Sequence, residues 1–129
     1  MPQYTLDLAI ERAKPFHDLA SAVTRLEVAT TRGIKGREEE IKGLATAIRD
    51  SARALKTEYA RGDGLPQLLE VVARTFDEPN RPQTYARAAK YITNVVLQAA
   101  KMPDITPAHV YGVVEKLREM GVNAYYINI

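Results

Sequence analysis

On a helix advancing about 100° per residue, Lys42, Arg49, Arg53 and Lys56 fall within about 60° of one another. Their spacings of seven, four and three residues build a ridge of cations suited to neutralising successive phosphates of a polyanion. Thr46 lies inside the ridge and can donate a hydrogen bond to a phosphate oxygen. The apolar stripe of the same helix is centred roughly 110–120° away. Glu39, Glu40, Asp50 and Glu58 sit mostly on the opposite flank. Like charges three or four residues apart weaken an isolated helix by a few tenths of a kcal/mol per pair, so the arrangement calls for an anion to offset it. On the preceding helix Lys14, Arg25 and Arg32 project to one side, and Lys35 and Arg37 add charge at the turn between the two. The alternative is a solvated basic face with no partner.

Residues that could carry catalysis are sparse. His17 and His109 lack ligand partners at helical spacing, so no metal site is expected. The chain has no cysteine, which excludes disulfides and thiolate metal sites. Glu38-Glu39-Glu40 fits a helix start better than a cation site. No phosphate-loop lysine motif, dinucleotide glycine pattern or nucleophile elbow is present. Arg61-Gly62-Asp63 matches an adhesion tripeptide by letter but fits a helix stop. Gly33-Ile34-Lys35-Gly36 has the G-x-x-G form of a KH loop, without the sheet that such a module needs. The expectation is a protein that is not an enzyme and uses no cofactor.

The elements that must position these cations are helical. Residues 5–31 repeat apolar positions at steps of three and four, from Leu6 and Ile10 through Phe16 to Leu26. Pro15 removes a backbone donor and crowds the preceding turn, which predicts a kink or break near Lys14. The two glycines of 33–36 predict a turn. Residues 37–61 predict the clearest helix, with Ile41, Leu44, Ile48, Ala52, Leu55 and Tyr59 as its stripe. Further helices are predicted over 66–76, over about 83–102, and from Pro107 to a cap at Gly121, the last opened by Thr106. The result is an all-α fold: a basic helical hairpin or arm over 1–64, then a compact helical bundle over 65–129 with a short extended C-terminal tail, folding as one unit. In that tail Tyr125, Tyr126, Ile127 and Ile129 are apolar enough to need cover, either from their own bundle or from another subunit.

Bulk charge does not decide the partner. The net charge of +2 divides evenly: residues 1–64 hold 11 basic and 10 acidic side chains, and residues 65–129 hold 7 and 6. Affinity for an anion must therefore come from local arrangement. No run of 18 consecutive apolar residues occurs, so no membrane insertion is expected.

A basic helical hairpin, a compact bundle and a closing Tyr125-Tyr126 within 129 residues resembles the major capsid proteins of rod-shaped and filamentous archaeal viruses, the rudivirus, lipothrixvirus and tristromavirus groups. The resemblance is one of architecture and size. It implies a virion protein whose N-terminal helices wrap double-stranded DNA without sequence preference, while copies of the chain, or a paralogous subunit, polymerise into a helical filament. Two alternatives fit the size and class: a helical small subunit of a CRISPR-type ribonucleoprotein complex, or a protein-interaction and regulatory module, either of them cytoplasmic.

Overall fold

The structure is a computed structural model that describes residues 6–58, 64–78, 80–102 and 104–123, with side chains from Ala13 onward. Five helices follow one another: α1 (Leu6–Thr31), α2 (Glu38–Glu58), α3 (Leu65–Thr75), α4 (Pro82–Lys101) and α5 (Pro107–Glu119), with no strand among the described residues. The fold is all-α.

The local signals act where the physical chemistry places them. α2 buries Ile41, Ala45, Ile48, Ala52 and Leu55 along one stripe and opens on three glutamates. Prolines stand in the first turns of α3, α4 and α5, where their missing donor is no loss. Thr106 caps α5 by accepting from the His109 N–H at 3.1 Å. At the other end Gly121 takes a positive φ of 85°, and the Val122 N–H returns to the Leu117 carbonyl, closing the helix as a Schellman turn.

α1 departs from expectation. It runs unbroken through Pro15. One missing hydrogen bond is a local deficit, and the buried side chains that follow it, Phe16, Leu19, Ala20 and Val23, hold the helix against the core.

The turn between α1 and α2 uses Gly33 and Gly36 at φ 102° and 83°. α1 and α2 pack against each other, but α1 lies chiefly on α4 and α2 chiefly on α3. One hydrophobic core therefore draws on all five helices, with Phe16, Leu26, Ile48, Leu69, Ile92 and Leu117 fully buried. The hairpin shares its interior with the helices that follow.

Beyond α5, Val122 is buried and Asn123 is clasped by Asn80. The Asn80 amide donates to the Asn123 carbonyl at 3.3 Å and accepts from its N–H at 3.0 Å. Tyr125, Tyr126, Ile127 and Ile129 lie outside the described residues, as do Tyr59 and the 61–63 stop.

Candidate nucleic-acid interface

The α2 ridge forms as spaced, and it faces α3. Arg49 donates to the Asp77 carboxylate at 3.1 Å. Arg53 reaches Glu70 at 3.2 Å and Asp77 at 3.6 Å, and Lys56 reaches Glu70 at 3.1 Å. Arg74 of α3 adds a fourth cation, 2.7 Å from Glu70. Burial alone would raise the Glu70 carboxyl. Hydrogen bonds from Arg53, Arg74 and Lys56 outweigh it and bring its pKa down to about 2. Asp77 in turn raises the pKa of Arg49 through their hydrogen bond. Three of the four ridge cations are thus matched by carboxylates of their own chain. The like charges of the ridge are offset within the chain by two carboxylates, Glu70 of α3 and Asp77 just past its end. Of the four ridge cations, Lys42 alone is exposed and makes no ion pair with a described residue; it stands at the edge of a recess shared with Glu38, Glu78 and Arg81.

Arg37 is also engaged internally. Its guanidinium donates to the Ala29 carbonyl in the last turn of α1 at 2.6 Å and to the Gly33 carbonyl just past the helix at 2.9 Å. The other edge grips Glu40 at 3.1 and 2.9 Å and lowers that carboxyl's pKa. These bonds make it the staple of the hairpin turn.

On the unbroken α1, Lys14 and Arg25, with Arg32 just beyond the helix end, fall on one line within about 20°. All three are exposed, as is Lys35 at the hairpin tip. The line is interrupted by a carboxylate, because Asp18 lies 3.4 Å from Lys14 and two turns before Arg25.

A second polar surface lies along α4. Gln83, Arg87, Lys90, Asn94, Gln98 and Lys101 are all exposed on α4. They lie within about 80° of one another over about 27 Å. α4 contains no aspartate or glutamate at all. Lys90 and Lys101 make no ion pair among the described residues. Arg87 is steadied by donating to the Met120 carbonyl at 3.1 Å, a bond that leaves its charge exposed. The signal was present in the sequence as an absence: twenty residues with three cations and no anion.

Among the described residues no group of three or more His, Asp or Glu side chains is placed to hold a metal ion. None of the helices is long and apolar enough to cross a membrane. No protein-family model, curated protein or solved structure matches the chain.

Proposed function

We propose that this protein is a structural, non-enzymatic subunit that coats double-stranded DNA by its backbone, without reading sequence, and packs with copies of itself in a virion filament. One observation carries the DNA half: α4 presents three cations and three amides along one line with no carboxylate among them. Lysine and arginine neutralise phosphates, and glutamine and asparagine amides donate to phosphate oxygens. A ridge of about 27 Å covers most of one duplex turn of about 34 Å. Flat, periodic backbone contacts carry no base information, and many weak subunits sum to firm binding. The resemblance to filamentous-virus capsid proteins points the same way.

The test is the salt dependence of binding to a random duplex. Three phosphate contacts predict that log K falls with log salt at a slope of about −2.7. Lys90→Glu with Lys101→Glu should make the slope shallower by about 1.8 and weaken binding roughly tenfold or more. Lys56→Gln, which alters the Glu70 cluster, should leave the slope where it was. Binding that ignores salt, or a slope unmoved by the α4 charge reversals, sinks the DNA half. Recovery of the native protein in a multi-subunit complex with RNA would move it to the ribonucleoprotein class.

A further inference from the structure

A groove of about 450 Å³ runs between α1 and α2 on the side away from α3. Partly buried Ala22 and Leu44 line it, with exposed Ala47 and Ala54 along its α2 rim. An apolar furrow of this kind, on a helical hairpin, is normally covered. Its charged groups are Asp18 and Arg25, both on α1. They are seven residues apart, so they stand two turns or about 10.5 Å from each other on nearly the same line, with Ala22 between them.

We infer that this groove is where a second copy of the chain docks, with the two α1 helices antiparallel about a twofold axis near Ala22. The argument is charge symmetry. Rotation by half a turn about Ala22 carries Asp18 onto the place of Arg25, and Arg25 onto the place of Asp18. Each copy then sets its acid against the other's base, twice in the same interface, as an isologous contact requires. Lys14 stays beside Asp18, to which it is bound only loosely at an exposed site. Ala22, Ala47 and Ala54 keep the surface low enough for helices to approach closely. A rim with one acid and one base is a poor track for a phosphate backbone, in contrast to α4. Arg25 is thereby assigned to assembly rather than to DNA. This rests on the self-association half of the function proposed above and does not depend on its DNA half.

The experiment is sedimentation equilibrium of the full chain without nucleic acid, from micromolar to near-millimolar concentration. The wild type should dimerise. Ala47→Glu, which places a charge in the furrow, and Arg25→Asp, which sets acid against acid, should each weaken dimerisation roughly tenfold or more. The double variant Asp18→Arg with Arg25→Asp restores complementarity and should recover the dimer. All these positions are outside the core, and helical circular dichroism checks that the variants fold. If the wild type dimerises and the variants do so equally well, the groove is not the interface, while assembly through another surface stands. A wild type that stays monomeric throughout overturns both the groove and the self-association half. The DNA half is judged separately by the α4 charge reversals.

Discussion

Glu70 gathers Arg53, Lys56 and Arg74 onto one carboxylate that is 15% exposed, so the contact between α2 and α3 depends on its charge. Removing a partly buried anion leaves three like charges facing one another. Glu70→Gln is therefore expected to destabilise the fold by roughly 2–3 kcal/mol, a fall in Tm on the order of 10 °C, seen by thermal denaturation at neutral pH. The same carboxylate sets an acid limb. Its pKa is about 2 in the folded chain against an ordinary 4.5, so its stabilisation is present above pH 4.5. That stabilisation is lost as pH falls from about 5 toward 2. Thermal midpoints measured across that window should drop more steeply for the wild type than for Glu70→Gln, and parallel curves would refute the assignment. The angular position of each α2 cation was legible in the sequence. Its partner was not, because spacing rules reach only one helical turn. Glu70 lies 17 residues from Arg53 and 14 from Lys56, and Asp77 lies 28 from Arg49.

Helices were the most legible level, since a 3.6-residue apolar period, prolines in first turns and a threonine cap each act locally. Pro15 shows where a local rule yields to packing. Its ring withdraws one donor from α1, yet Phe16, Leu19 and Val23 are buried immediately after it, and the helix continues. The deficit should still be measurable. Pro15→Ala restores the donor and removes the ring's crowding, while giving back some freedom to the unfolded chain. The net expectation is a gain of about 1–2 kcal/mol, read as a higher urea midpoint with an unchanged m-value. A midpoint that falls would mean that the ring's place at the end of the α1–α2 groove outweighs the missing bond. On α4 the sequence was equally legible but the signal is harder to notice, being the lack of any carboxylate among exposed amides and lysines. An open phosphate track needs cations without anions across the way, and α4 meets the part of that condition visible within one element.

At the scale of the molecule, α5 is held by connections far apart in sequence, and these were not legible at all. The Gly64 N–H donates to the Ile105 carbonyl, tying the entry of α3 to the segment before α5. Asn80 clasps Asn123 just past the end of α5, and its amide also donates to the Arg74 carbonyl at 3.2 Å. Gly64 directly follows the Arg61-Gly62-Asp63 stop in the sequence. In the fold its φ of −86° is open to any residue, so the requirement is for space. A Cβ there would lie 2.7 Å from the Ile105 oxygen, 3.0 Å from the Thr106 oxygen and 3.0 Å from a Val110 methyl. Two of these are backbone atoms, and backbone cannot rotate aside as a flexible side chain does. Gly64→Ala should therefore push the 105–106 segment outward, misalign the Gly64 hydrogen bond and destabilise the protein by about 1–3 kcal/mol. The loss should begin at one end of the molecule. Native-state hydrogen exchange should show protection falling first at Val110, Val113 and Val114 of α5, whose seat depends on Ile105 and Thr106, while Ile41, Ile48 and Ala52 of α2 keep theirs. Uniform loss across both helices would show that the five-helix core opens as a single unit and that the Gly64 contact does not govern α5 on its own.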